Sequence, residues 1–454
     1  MKILIFLFLL ILSGCENDET HNTNNTNTTN TCGNGIIEGN EQCDVHVPAD
    51  RQCAFAGYES STEAVCTEFC TIDYTLCSNC EGDCETESKV CYAGIYTDCR
   101  ITDGCCQCIE TPCESGVCAD QDTCLDYVKP LVFMHFTDMH IGNEDVSDDF
   151  ISLMSLSMTG IDYIFNSGDM VDDGGEASFW ASYSQLIMDY LPYGPVYTEV
   201  AGNHDVKNDG SQSFLENSVF GERHGALYGH DSFADLCLVS TNTSAASLNS
   251  LNVNGYFDAD QAELLTGVCT GPAIVTGHHP VHGIMDIKFG LDNMISVIES
   301  NNAAIYLCGH THYSDIAWYE NTLLVQGDSF GESGNYFIGA LHPDGRVSLN
   351  ELSASGPAAL ILAPSDEFLG GTNPGTEVVH PGDRLFLSVF ASCHGSCTSV
   401  FVEVSGNQLE LNQLSENIYG NFIQITTIET LYITLTVTDQ SGTATHSISF
   451  SPTL

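Results

Sequence analysis

Five apolar runs between residues 130 and 312 each end in a cluster of metal-ligand side chains, and this repeated junction constrains the fold more than any other feature. Val132–Phe136 runs into Asp138-Met139-His140, and Tyr163–Phe165 leads to Gly168-Asp169-Met170-Val171-Asp172. Val196–Val200 leads to Gly202-Asn203-His204-Asp205, Ala273–Val275 to Gly277-His278-His279-Pro280, and Ala304–Leu307 to Gly309-His310-Thr311-His312. Short apolar runs of this kind are buried strands. The segments between them, Asp149–Met158, Ser178–Leu191, Asp260–Leu265 and Leu291–Ser300, have amphipathic, helical character. Strand alternating with helix predicts an α/β layered domain over residues 129–352, which Leu323–Gln326, Tyr336–Leu341 and Val347–Leu352 close as further strands.

In such sheets ligands bind beyond the carboxyl ends of the strands, so the five clusters are expected to converge on one edge. Singly, each is an ordinary turn. Five together would be costly to bury without partners, and a pair of divalent cations supplies those partners at once. The donors are oxygen and nitrogen with no thiolate, which suits Mn, Fe or Zn.

The order Asp-x-His, Gly-Asp-x-x-Asp, Gly-Asn-His-Asp, Gly-His-His, Gly-His-x-His resembles the calcineurin-like metallophosphoesterase superfamily. That resemblance implies a four-layer β-sandwich flanked by helices and a hydrolase with two divalent or mixed-valence metal ions. It assigns Asp138, His140, Asp169 and His312 to the first metal, and Asp169, Asn203, His278 and His310 to the second, with Asp169 bridging. A hydroxide held between the metals would attack a phosphomonoester or phosphodiester. His204 would protonate the leaving group, with Asp172 orienting its imidazole. Asp173, Asp205 and His279 are expected at turns or behind the ligands. Where phosphoprotein phosphatases carry Arg-Gly after the second motif, this chain has Asp173-Gly174, and Asp172 stands where purple acid phosphatases place a tyrosine. Phe220-Gly221, Tyr228–Phe233 and Gly255–Leu264 resemble a branch that joins class III cyclic-nucleotide phosphodiesterases with purple-acid-phosphatase-like proteins.

The flanks differ in texture. Residues 1–15 hold Lys2, a short apolar run and Leu12-Ser13-Gly14-Cys15, which resembles a bacterial lipobox ending in a lipidated cysteine. Cleavage as a plain signal peptide is the alternative, and both export the chain. The expected location is the bacterial cell envelope, at the outer membrane or cell surface, with the lipid on Cys15 as membrane anchor. Residues 16–31, nearly all Asn, Thr and acidic, read as a disordered tether. Residues 32–124 hold 16 cysteines, a density that signals disulfides rather than zinc in an exported chain. Cys32–Asp44 and Cys66–Cys70 resemble a cysteine-rich repeat of bacterial surface proteins. From 357 to 454, Arg384–Ala391, Ser399–Val404 and Leu431–Thr438 alternate with turn signals, predicting an all-β sandwich whose last hairpin looks immunoglobulin-like. Cys393 with Cys397, and Cys237 with Cys269, are expected disulfides; Cys308 is expected to be a small buried residue.

Against 61 acidic residues there are 10 Lys and Arg, for a formal charge of −51. Phosphate contacts need Lys and Arg, so general nucleic-acid binding is not expected and a small phosphate ester is the expected partner. The rival reading is a surface adhesion or scaffolding protein in which stalk and sandwich carry the function and the phosphoesterase domain is retired.

Overall fold

The computed structural model describes residues 65–67, 72–73, 88–92, 95–102, 105–112, 118–120, 123–124 and 129–452, except 192, 210, 234–235, 245–252, 284, 365–380 and 383. The expected signal segment, the tether and most of the cysteine-rich region lie outside the described residues. The chain forms two compact units. In the first, Val65–Cys66 pairs antiparallel with Ile72–Asp73. The second contains the small Cys118–Asp120 and Thr123–Cys124 hairpin and everything from residue 129 onward.

The five expected strands form β1 (Leu131–Phe136), β2 (Tyr163–Asn166), β3 (Val196–Glu199), β6 (Ala273–Thr276) and β7 (Ala303–Cys308). The first sheet is completed by β10 (Asn335–Leu341) and β11 (Val347–Ser353), in the order β3-β2-β1-β10-β11. Strands β1, β2 and β3 are parallel, and β10 runs antiparallel to β1. The second sheet adds β4 (Gly229–Phe233), β5 (Leu236–Ser240), β8 (Asp315–Tyr319) and β9 (Thr322–Gln326), in the order β4-β5-β6-β7-β9-β8. Its four inner strands are parallel, and the two edge strands are antiparallel.

The period of two along each strand explains the layering. Phe133, Tyr163 and Phe165 point from the first sheet onto Leu238, Ile274, Ile305, Leu307 and Val325 of the second. Val132, Met134 and Phe136 face the other way. They pack with Phe150 of α1 (Ser147–Met154), Trp180 and Tyr183 of α2 (Ala177–Tyr190), Phe214 of α3 (Ser211–Asn217) and Phe220 of α4 (Val219–His224). On the far side of the second sheet, Val275, Tyr306 and Cys308 meet Leu265 of α5 (Ala259–Leu265) and Met294, Val297 and Ile298 of α6 (Leu291–Ser300). The layers are therefore helix, sheet, sheet, helix. Strands buried on both faces read as unbroken apolar runs, which is why these were legible.

Residues 358–450 form two four-stranded antiparallel sheets. One is ordered β12 (Ala358–Ala363), β13 (Arg384–Ser392), β17 (Ile418–Gln424), β16 (Asn412–Ser415). The other is ordered β15 (Asn407–Leu409), β14 (Ser399–Val404), β18 (Leu431–Thr438), β19 (Thr443–Phe450). Val389, Val402, Leu435 and Ile448 are among the residues between them. Leu360, Leu362, Phe390 and Ile418 instead join the core that packs on the outer face of the first sheet. This docking corrects one expected boundary. The helix expected over 149–158 spans Ser147–Met154. Beyond it, Leu156 bridges to His394, and the Ser157 carbonyl accepts from Ser392 Oγ at 2.8 Å and Asn417 Nδ2 at 3.1 Å. Backbone groups committed to the sandwich cannot continue a helix. Cys237–Cys269 and Cys393–Cys397 are disulfide-bonded, and Cys308 is free and buried. No helix among the described residues is long and apolar enough to cross a membrane.

His446, on β19, gives the junction a pH dependence. Its Nδ1 accepts from the Ile361 N–H at 2.8 Å, so the folded ring is neutral. Burial pushes its pKa down to about 4, against a smaller upward pull from Leu349. The unfolded chain takes up a proton below about 6.5 that the folded chain refuses, so stability falls as pH drops from about 6.5 to about 4, by up to about 3 kcal/mol. Denaturant unfolding across that range should show a shallower loss in His446→Asn than in wild type; equal slopes would contradict this account.

Candidate metal centre

All five clusters meet at the carboxyl edge of the parallel strands. Backbone bonds join the β1 and β2 loops: Asp138 N donates to Gly168 O at 2.9 Å and His140 N to Asp169 O at 3.0 Å. The β3 loop is fixed through Asp169, whose Oδ1 accepts from His204 N at 2.8 Å. From the second sheet, His310 N donates to Asp138 Oδ2 at 2.9 Å, and His278 Nδ1 donates to Ser167 O at 2.9 Å. Five of the seven expected ligands, Asp138, His140, Asp169, His310 and His312, have left-handed backbone at φ 54, 48, 54, 79 and 56°. Non-glycine residues rarely hold this conformation, and it concentrates at functional sites. Gly168, at φ 108°, permits the close crossing: a Cβ there would stand 2.6 Å from His278 Nδ1.

Among the described residues, three overlapping groups could each hold a cation: Asp138 with His140 and His312; His140 with Asp169 and His204; and Asp169 with His278 and His310. Asp169 Oδ2 stands 3.1 Å from His278 Nε2 and 3.8 Å from His140 Nε2, and so lies between the two sides. Asn203 Oδ1 is 3.0 Å from His278 Nε2. His310 turns Nδ1 to His278 Nε2 at 3.2 Å while its Nε2 faces Val253 O at 3.0 Å.

The cluster fits cations. Asp138 Oδ1 is buried and has no hydrogen-bond partner. Facing it are the Nε2 atoms of His312 and His140, at 3.5 and 3.7 Å, which lie 3.0 Å from each other. An acceptor-only oxygen beside converging imidazole nitrogens, with no sulfur, is the donor set of a first-row divalent ion. Burial alone would raise the Asp138 carboxyl, but the facing imidazoles of His140 and His312 and the charge of His278 outweigh it and hold it well below the carboxylate range. Asp169 is likewise lowered against its burial, chiefly by His278.

His204 is about one-third exposed, and its ring lies 4.6 Å from that of His140. Its Nδ1 is 2.7 Å from the Asp172 main-chain carbonyl and 3.4 Å from the Asp172 carboxylate. The backbone oxygen, rather than the expected side chain, is thus its closest partner; the carboxylate lies 3.5 Å from His140 Nδ1 as well. Asp205 is buried and accepts from Gly202 N at 2.8 Å and Val171 N at 3.0 Å, tying two loops together. Asp173 takes Gly175 N at 3.0 Å and Asn208 Nδ2 at 2.6 Å. His279 is buried behind the site with Nδ1 3.0 Å from Thr243 Oγ1. Two side chains that contribute escape a reading of the sequence. Thr243 Oγ1 accepts from His278 N at 3.1 Å, and Glu332 lies 2.8 Å from His312 Nδ1. A signal exists for Glu332: β9 is a further parallel strand, and it too ends in a polar, glycine-rich loop.

Residues 131–314 match the family of calcineurin-like phosphoesterases, so the chain carries a domain of that class. Three solved structures resemble the chain. Purple acid phosphatase PPD1 from yellow lupin is 13% identical over 57% of this chain and 57% of that one, with a TM-score of 0.39. GAP50, the anchor in the inner membrane complex of Plasmodium, is 11% identical over 50% and 85%, at 0.37. TT1561 of Thermus thermophilus is 13% identical over 50% and 99%, at 0.36. No curated protein matches. The domain match and the His/Asp groups together indicate a hydrolase of phosphate esters.

Gly309 tests the geometry. A Cβ there would overlap Thr137 Oγ1 and Asp138 Oδ2. Gly309→Ala should therefore displace Asp138 and lower the metal bound per chain, as counted by elemental analysis. Full occupancy in the variant would refute this placement.

Proposed function

We propose that the chain is an exported two-metal phosphoesterase acting on phosphomonoesters or phosphodiesters of small molecules. The observation that carries it is the buried, unpartnered Asp138 Oδ1 facing the imidazole of His140 from its own loop and that of His312 from the loop after β7. Asp138, His140, Asp169 and His312 would hold one cation, and Asp169, Asn203, His278 and His310 the other, with Mn, Fe or Zn as the ions. When bound, such a pair activates water and neutralises charge that grows on the phosphoryl oxygens.

The protein's own groups do the rest. The Asp172 carbonyl can only accept, so His204 keeps its hydrogen on Nδ1 and exchanges protons at Nε2. Partial exposure leaves Nε2 able to reach a leaving-group oxygen and protonate it as the ester bond breaks. The Asp172 carboxylate, beside both His140 and His204, steadies the two rings. A formal charge of −51 disfavours long polyanions and leaves a compact ester as the substrate that a local positive centre can draw in.

Export and lipid anchoring through Cys15 are part of the same proposal. They are supported by Leu12-Ser13-Gly14-Cys15 and by the Cys237–Cys269 and Cys393–Cys397 disulfides, which suit an oxidising compartment.

Asp169→Asn should abolish hydrolysis of an aryl phosphate by metal-loaded protein, a loss of about 10³-fold or more. Wild type no faster than that variant, with any metal or ester tried, would overturn the proposal. His204→Ala should cost about 10²–10⁴-fold, with the larger losses on esters of poor leaving groups. Asp172→Ala, which keeps the carbonyl, should cost less than His204→Ala. Steady-state rates on aryl and alkyl phosphates check both; a His204→Ala loss independent of the leaving group would remove the proton-donor role.

A further inference from the structure

The loop after β9 lies beyond the matched residues 131–314, yet it grips the first cluster at several points. Phe330 N donates to Thr137 O at 2.9 Å, Gly331 N to Asp138 O at 3.0 Å, and Ser329 Oγ to Asp138 O at 3.0 Å. Phe330 is buried, with its ring 5.2 Å from that of Phe136. These bonds hold the left-handed turn at Asp138, and they place the short helix α7 (Phe330–Ser333) beside His312.

From that helix Glu332 reaches across the edge, with Oε1 2.8 Å from His312 Nδ1. We propose that Glu332 is a positioning residue for the first cation site: it holds His312 with its hydrogen on Nδ1 and a bare Nε2 turned toward Asp138. This rests on the two-metal reading above. An ionised carboxylate accepts only, so the ring nitrogen facing it carries the hydrogen. The opposite nitrogen, Nε2, is the one that faces Asp138 Oδ1 and His140 Nε2. A carboxylate behind a ligating imidazole fixes its tautomer and orientation and raises its basicity. Of the two clusters, only the Asp138 side receives this support from Glu332. His278 and His310 are backed instead by the carbonyls of Ser167 and Val253. The two sites should therefore respond differently to a change at residue 332.

The test is Mn²⁺ titration of the full chain after chelator treatment, read by calorimetry and by the magnetic resonance signal of the coupled ion pair. Glu332→Ala should weaken one of two sites by about 10–100-fold and leave the other unchanged. Glu332→Gln, whose amide oxygen still accepts from Nδ1–H, should lie between that variant and wild type. The Glu332 side chain is more than half exposed, so metal-free melting temperatures should match. If Glu332→Ala melts early, Glu332→Asp, which keeps the charge and shortens the reach, decides by the same titration. Wild-type affinity at both sites in Glu332→Ala, or in Glu332→Asp where that variant decides, would overturn the inference while leaving the two-metal reading intact. Wild type binding no Mn²⁺ would overturn both.

Discussion

Asp169 is the point on which the architecture turns. Its carboxylate is buried where the two sheets meet, held through Oδ1 by the His204 N–H and set against His278 and His140 through Oδ2. Burying a carboxylate is tolerable only with partners of opposite charge or a cation, and every group that approaches this one comes from a different loop. Those loops exist because five parallel strands stop at the same height. Left-handed backbone at five of the seven expected ligands costs about 1–3 kcal/mol per residue and survives only where packing over-determines it. The inter-sheet core below, with Phe133, Phe165, Ile305 and Leu307 fully buried, supplies that rigidity.

The sandwich belongs to the same mechanical argument. It packs Leu360, Leu362, Phe390 and Ile418 into the core behind the first sheet, beside α1, the helix that follows the His140 loop. His394 reinforces the contact. Its Nε2 lies 3.1 Å from Ser152 O, and Asp439 Oδ2 lies 3.2 Å from its Nδ1. The module is thus anchored to the back of the first sheet, away from the edge where the candidate ligands converge. A C-terminal domain placed there can brace the fold without covering the site.

How much of this is legible in the sequence follows from burial. Strands buried on both faces announce themselves as apolar runs, and all five that lead into candidate ligands are of that type. The edge strand Gly229–Phe233 carries His, Asp and Ser and shows no such run, and the other edge strand, Asp315–Tyr319, is only partly buried. Several sandwich strands, Asn407–Leu409 and Asn412–Ser415 among them, are short and polar, so only the longer strands of that module are legible. The local pattern of helix α1 permits it to continue to residue 158; contacts more than 200 residues away end it at Met154. At the site, the residue types and their convergence are readable because metal chemistry restricts the donors. The Asp172 carbonyl beside His204, the Val253 carbonyl beside His310 and Glu332 behind His312 are not. Backbone oxygens have no sequence signature, and a lone glutamate has too weak a one.

The most direct test of the central claim is anomalous diffraction from crystals of the full chain loaded with Mn²⁺. Two peaks flanking the Asp169 carboxylate are expected, one ligated by Asp138, His140 and His312 and the other by Asn203, His278 and His310. No peak at that edge, or a single one that Asp169 does not touch, would contradict the account.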